Sequence, residues 1–234
     1  MPNRGLIEAT YIGRLPPRPA ASRSSTTVPT NMNPAHLSFN FTPSPEPKSR
    51  QVGGGVIDGV EFRRLKMNVD YRGCFTEVFQ DYWKTCIKPV QWSVVHSLPN
   101  VFRGVHLHRR HDEYISVMHG HASVGLRDLR PWSATKGNWA LYELHGDELA
   151  CLTFPLGLLH GWYFHTATIH LQSVSESYLD YGAEDNWGCH WSDPGLEIPW
   201  PCTDPIVAKR AADFPSMDAL ITALGDWGPP QGQR

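Results

Sequence analysis

The chain has 234 residues, 41% of them hydrophobic and 19% charged, with a formal net charge of −2, a composition that can bury one sizeable core and is unlike that of disordered chains. Lys and Arg number 21 against 23 Asp and Glu, so there is no global basic field to hold nucleic acid by counterion release. The most hydrophobic region, Cys151 to Phe164, is interrupted by Pro155, Gly157 and His160 and is too short to span a bilayer, so a soluble protein with no membrane partner is expected.

Residues 1–55 read as a disordered extension. Pro16, Pro17, Pro19, Pro29, Pro34, Pro43, Pro45 and Pro47 stand among Ser, Thr and Asn with no sustained apolar period, and such a segment cannot offset its ordering entropy by burial. Gly53, Gly54 and Gly55 then read as a hinge into a single domain over residues 56–228, with a short tail over 229–234.

Within that domain the signal is short strands. Glu113 to Met118, His121 to Leu126, Asn138 to Leu144, Glu148 to Phe154 and Thr168 to Val174 are rich in Val, Ile, Thr, Tyr and Leu and are bounded by Gly, Pro, Asp and Asn, the pattern of an all-β sandwich or a double-sheet jelly roll. One helix is expected near the C terminus, with Ser216 as N-cap, Met217, Leu220, Ile221 and Leu224 at helical spacing, and Gly225 as the stop. Five cysteines without a Cys-x-x-Cys pair suit isolated thiols in a reducing cytoplasm.

Of the 12 histidines, 11 lie between His96 and His190. Arg103-Gly104-Val105-His106-Leu107-His108 is the densest polar cluster. On a strand, period two places His106 and His108 on one face, with Arg103 on the other or at a bend. Downstream, Pro155-x-Gly157-x-x-His160 sets an imidazole among apolar residues, where it needs a partner. Taken together, the two segments predict strands converging inside a barrel.

These residues carry a resemblance. Asp70-Tyr71-Arg72-Gly73-Cys74-Phe75-Thr76-Glu77, Gln91-Trp92-Ser93, Arg103-Gly104-Val105-His106, Asp128-Leu129-Arg130 with Ser133-Ala134-Thr135-Lys136-Gly137, Pro155-x-Gly157-x-x-His160-Gly161, and Trp191-Ser192-Asp193-Pro194 with Ile198-Pro199-Trp200-Pro201 occur in the order seen in dTDP-4-dehydrorhamnose 3,5-epimerases. The resemblance implies a cupin-type jelly roll, a homodimer, no cofactor, and a nucleotide-linked 4-keto-6-deoxyhexose as substrate in deoxysugar or polysaccharide synthesis. It implies His106 as the base that takes a proton from C3 or C5, and His160 as a donor toward the C4 oxygen or the sugar. Arg72, Glu77, Gln91, Arg103, Glu184 and Lys209 match positions that bind the nucleotide, the diphosphate or the sugar.

The chain also departs from that pattern. An ungapped count from His160 puts Ser173 where the family has its catalytic tyrosine, leaving Tyr163, Tyr178 or Tyr181 as substitutes. Arg210 stands where the carboxylate partner of the base belongs, and its charge lowers a nearby imidazole's pKa; Asp213 is the replacement after a small shift. Finally, His106-x-His108-x4-Glu113-x6-Gly120 with His160 downstream resembles the motif of metal-binding cupins. That alternative implies a divalent transition metal on His106, His108, Glu113 and His160, in an isomerase or oxygenase. A nucleotide-sugar binder without turnover is the third expectation.

Overall fold

The computed structural model describes residues 46–182 and 184–229. The expected extension up to residue 45, and the tail beyond 229, lie outside the described residues. The expected boundary at residue 55 is corrected by a strand, β1 (Arg50–Gly54), which pairs antiparallel with β9 (Trp139–His145), Arg50 opposite Glu143 and Gly54 opposite Ala140. An edge strand is held by backbone hydrogen bonds and needs no apolar period, so composition did not reveal it. The supposed glycine hinge is part of this pairing, and Gly55 N donates to the Trp139 carbonyl at 2.8 Å.

Two antiparallel sheets face one another. The larger runs β1, β9, β8 (His121–Asp128), β11 (Leu158–Phe164), β6 (Val101–Leu107) and β13 (Trp187–Gly188). The smaller runs β2 (Glu61–Arg64), β10 (Ala150–Phe154), β7 (Glu113–His119), β12 (Thr168–Val174) and β5 (Gln91–Ser97). From β5 to β8 and again from β9 to β12, successive strands alternate between the sheets, which is the jelly-roll crossing. A separate hairpin, β3 (Asn68–Asp70) with β4 (Gly73–Phe75), belongs to neither sheet.

Ile115, Val117, Leu152 and Phe154 of the smaller sheet meet Val124, Leu126, Tyr142, Leu144 and Phe164 of the larger one in the main core. Each such side chain contributes about 1.5–3 kcal/mol by leaving water. A second core lies on the larger sheet, where Phe102, Leu107, Leu141 and Leu159 are covered by Leu196, Ile198 and helix α3 (Met217–Leu224). This helix matches expectation: the Ser216 hydroxyl accepts from Ala219 N, and Met217, Leu220 and Leu224 are buried. Ile221, expected on the same stripe, is 45% exposed. Two four-residue helices were not expected, α1 (Tyr178–Tyr181) and α2 (Lys209–Ala212), because one turn carries no period to read. Among the described residues no helix is long and apolar enough to cross a membrane.

Two local features place the site. The β6–β11 register shifts so that His160 opposes His106 while Gly161 opposes Gly104. The extra residue on β6 is a bulge, the device that re-aims side chains beside a pocket. The Pro155-x-Gly157 turn holds Gly157 at φ +82° and donates its N–H to the His108 carbonyl at 2.6 Å. A Cβ there would lie 2.6 Å from Arg130 and Trp227, so only glycine fits.

Candidate active site

A cavity of about 480 Å³ opens between the sheets. Arg103 and His106 come from β6, Glu113 from β7, His170 and Gln172 from β12, and Tyr181 from α1, while Ile206, Ala208 and Ala211 close one wall. His106 and His108 both line it, their rings 6.2 Å apart, as period two required. Arg103 lines it too, because the bulge supplies the bend. Its Nε donates to Ser97 Oγ at 3.0 Å and a terminal nitrogen donates to the His96 carbonyl at 3.3 Å.

Burial pushes the His106 imidazole down to about 3, and His160, His108 and Arg210 push the same way. His106 is therefore uncharged at neutral pH. The Arg210 effect has the sign its charge dictates, with the guanidinium anchored on the Asn186 carbonyl at 2.9 Å. Asp213 does not replace the family's carboxylate. It is exposed at the end of α2, and the adjacent Phe214 presents its ring edge-on to His106 at 5.8 Å.

His160 is 1% exposed and does not line the cavity. Its Nε2 lies 3.2 Å from Glu113 Oε1, so the role of sugar donor expected for it does not match its position. Glu113 is buried, yet its carboxyl is held well below the usual range, because His160, His108 and His111 outweigh the burial that would raise it. His111 was missed by motif reading. Burial opposes its charge, but Asp185 and Glu113 win and raise it to about 9. Asp185 was also missed: its carboxylate accepts the Arg109 and Arg110 amides at 2.8 and 3.0 Å, and its carbonyl accepts His108 Nδ1 at 2.6 Å. Glu184, the acid the sequence singled out, is exposed beside it. The four-ligand set expected for a metal also changes: the ligand atoms that gather within 4.8 Å of one another are those of His108, His111 and Glu113, without His106, and His160 Nε2 adjoins them 3.2 Å from Glu113 Oε1.

Ser173 is corrected as well. It faces away from the cavity, buried, with Oγ donating to the Gln91 carbonyl at 2.7 Å. A one-residue offset in the strand moves a side chain to the other face, and the cavity receives Gln172 and Val174 instead. Of the three tyrosines weighed, only Tyr181 lines the cavity, its ring 4.3 Å from that of His111. Tyr163 hydrogen-bonds Asn100 and Tyr178 is half exposed. Gln91 does not line the cavity, but its Oε1 accepts the Tyr178 amide at 3.0 Å and so helps seat α1. Lys209 is exposed on α2. Arg72 and Glu77 are exposed at and just after the β3–β4 hairpin, away from the cavity, with Arg72 paired to Asp70 at 2.6 Å.

A jelly roll whose inter-sheet cavity holds an uncharged histidine, an arginine and a tyrosine is a proton-transfer site in form, with no nucleophile of the acyl-transfer kind in its lining. The family model for dTDP-4-dehydrorhamnose 3,5-epimerase matches residues 55–219, and the chain belongs to that family of isomerases. The spore coat polysaccharide biosynthesis protein SpsL of Bacillus subtilis is 36% identical over 148 residues, covering 58% of this chain and 97% of that protein. The dTDP-4-dehydrorhamnose 3,5-epimerase of Escherichia coli is 29% identical over 161 residues, covering 65% and 86%. Among solved structures, the Bacillus anthracis enzyme with TDP and PPi bound superposes with a TM-score of 0.63 at 29% identity, covering 68% of this chain and 94% of that one. The Legionella pneumophila enzyme in complex with dTDP-4-keto-L-rhamnose gives 0.64 at 25%, covering 74% and 96%.

Proposed function

We propose that the protein epimerises a nucleotide-linked 4-keto-6-deoxyhexose of the dTDP-4-dehydro-6-deoxyglucose type, removing and returning a proton at C3, C5 or both. The supporting observation is His106, an uncharged imidazole on the Arg-Gly-x-His bulge, facing the cavity beside Arg103. Both carbons flank the C4 carbonyl, which acidifies their protons. A neutral imidazole can accept such a proton, and the enolate charge then needs a fixed donor or cation. A depressed pKa keeps His106 ready but weakly basic, so the stabilisation of the enolate carries more of the barrier. Tyr181 is the hydroxyl available for proton return, in place of the family's tyrosine. Arg103 suits the diphosphate or sugar, through a forked donor set that a lysine lacks. Proton removal and return are redox-neutral, so no nicotinamide or flavin is called for. The five cysteines, all free thiols, suit work in the cytoplasm.

The positions of Arg72 and Glu77 support a homodimer. They match substrate-binding positions, yet they lie away from their own cavity near a hairpin that exposes Val69, Tyr71 and Phe75. A second copy offers the cavity they would serve. The test is proton NMR of dTDP-4-keto-6-deoxyglucose in D2O. Deuterium entry at C3 or C5 that His106→Asn slows at least about 100-fold supports the reading, and Tyr181→Phe is expected to slow it too. No exchange with the unaltered chain overturns it for this substrate, and tight binding without exchange leaves a nucleotide-sugar binder.

A further inference from the structure

Three imidazoles converge on one carboxylate oxygen at the wall of the cavity. His108 and His160 bring Nε2 to 3.2 Å from Glu113 Oε1, and His111 brings its Nε2 to 3.8 Å. None of the four side chains is more than 9% exposed. The far ring nitrogens of His108 and His160 are already committed. His108 Nδ1 lies 2.6 Å from the Asp185 carbonyl and His160 Nδ1 lies 3.0 Å from the Leu158 carbonyl. A carbonyl can only accept, so a hydrogen sits on each Nδ1, and a ring carrying that hydrogen alone turns a lone pair at Nε2 toward Glu113. His111 Nδ1 lies 3.5 Å from Asp185 Oδ2, close enough for an ion pair but without a hydrogen bond.

Glu113 Oε1 and the Nε2 atoms of His108 and His160 thus face one another as acceptors, and His111 Nε2 joins them as a fourth when its ring gives up its proton, as metal binding requires. Glu113 Oε1 and His160 Nε2 are buried without a hydrogen-bond partner, whereas Glu113 Oε2 takes the Gln172 amide at 2.9 Å. Such a cluster needs a cation. A proton bridges one nitrogen to the oxygen and leaves the others facing lone pairs. A metal ion serves all of them. Ligands about 2.0–2.1 Å from a tetrahedral ion are about 3.3–3.4 Å from one another, against 3.2 Å from Glu113 Oε1 to the Nε2 atoms of His108 and His160 and 3.8 Å to that of His111.

We propose that His108, His111 and Glu113, with His160 as the fourth ligand, hold one divalent transition-metal ion through the three Nε2 atoms and Oε1. The Asp185 and Leu158 acceptors are the outer partners that fix the tautomer and aim of metal-binding histidines. Three nitrogens and one oxygen suit zinc, cobalt, nickel or iron, and do not suit calcium or magnesium. His106, with its ring 6.2 and 6.1 Å from those of His108 and His160, stays outside the set and free to move protons. An ion there would border the same cavity and could hold the C4 oxygen as charge develops. That use rests on the epimerase reading; the site itself does not. A second group, His121, Glu143 and His165, also gathers its ligand atoms within 4.8 Å, but its atoms already hydrogen-bond one another and Ser123.

The test takes the full chain without a histidine tag, strips it with a chelator, and titrates Co(II) while recording the visible spectrum, followed by competition with Zn(II). One equivalent of Co(II) per chain with ligand-field bands, displaced by Zn(II), is expected. Glu113→Gln and His111→Gln should each weaken binding at least tenfold, while His106→Ala and His121→Ala leave it unchanged. Circular dichroism checks each variant's fold. Absence of a saturable Co(II) spectrum overturns the proposal, as does a spectrum that survives both ligand variants or is lost with His121→Ala. Deuterium exchange is run separately on loaded and stripped protein. Exchange by a chain that binds no Co(II) ends the metal site alone, and Co(II) binding without exchange in either form ends the epimerase reading alone.

Discussion

Asp128→Asn isolates the turn that the Asp128-Leu129-Arg130 motif builds at the end of β8. The Asp128 carboxylate is fully buried, and it accepts Arg130 N at 3.0 Å, Arg130 Nε at 2.9 Å, a terminal Arg130 nitrogen at 2.8 Å, Ser133 Oγ at 2.6 Å and Thr135 Oγ1 at 2.8 Å. Arg130 is only 6% exposed. The substitution keeps the shape and removes the charge, leaving a buried guanidinium without its counterion. Breaking one partner of such a pair costs about 3–5 kcal/mol, against a total stability of roughly 5–15 kcal/mol. With a urea slope near 2 kcal/mol per molar, the unfolding midpoint falls by about 1.5–2.5 M. The companion variant, Asp128→Asn with Arg130→Met, removes both charges and should recover much of the loss, because replacing both partners of a buried pair is often neutral. The pH dependence has a fixed sign. Burial pushes the Asp128 carboxyl up, but Arg130, Ser133 and Thr135 outweigh it and hold it below its ordinary 3.8. A depressed pKa contributes stability that is present above the unfolded value and lost as pH falls through the folded one, so the gap between the natural chain and Asp128→Asn should close below about pH 4. A midpoint shift under about 0.5 M, or a double variant as weak as the single, refutes the reasoning.

The remaining expectations concern the site and its support. Since His106 is held to about 3, it stays unprotonated across the neutral range, and the pH profile of kcat/KM should show no loss near pH 6.5 from its titration; an acid limb there that vanishes in His106→Asn contradicts this. Gly125→Ala on β8 would put a Cβ 2.3 Å from the Trp200 ring, so thermal unfolding should register about 1–3 kcal/mol of overpacking; an unchanged Tm contradicts the packing. Mixing Arg72→Ala chains with His106→Asn chains, each weakly active alone, should restore part of the activity after co-refolding if the hairpin of one copy serves the other; mixtures no better than their components count against the shared site.

Much of the framework was legible in residue order. The strands from Glu113 to Val174 show as β-branched and aromatic runs between Gly, Pro, Asp and Asn, and α3 shows through its Ser216 cap and its apolar spacing, because local propensity and burial point the same way there. The Arg-Gly-x-His and Pro-x-Gly-x-x-His segments announced a histidine-lined interior, and the family followed from their order.

Tertiary structure decided what those side chains face. A strand's period of two turns a one-residue offset into a change of side, which moved Ser173 out of the cavity and Gln172 in. The bulge on β6, opposite the step from His160 to Gly161, brought Arg103 and His106 to one cavity from positions that simple alternation separates. His111 and Asp185 lie 74 residues apart on loops without a motif, and only the folded chain sets His111 Nδ1 3.5 Å from Asp185 Oδ2. Sequence carries residue type and local period; convergence of charges from distant loops depends on backbone paths that only packing selects.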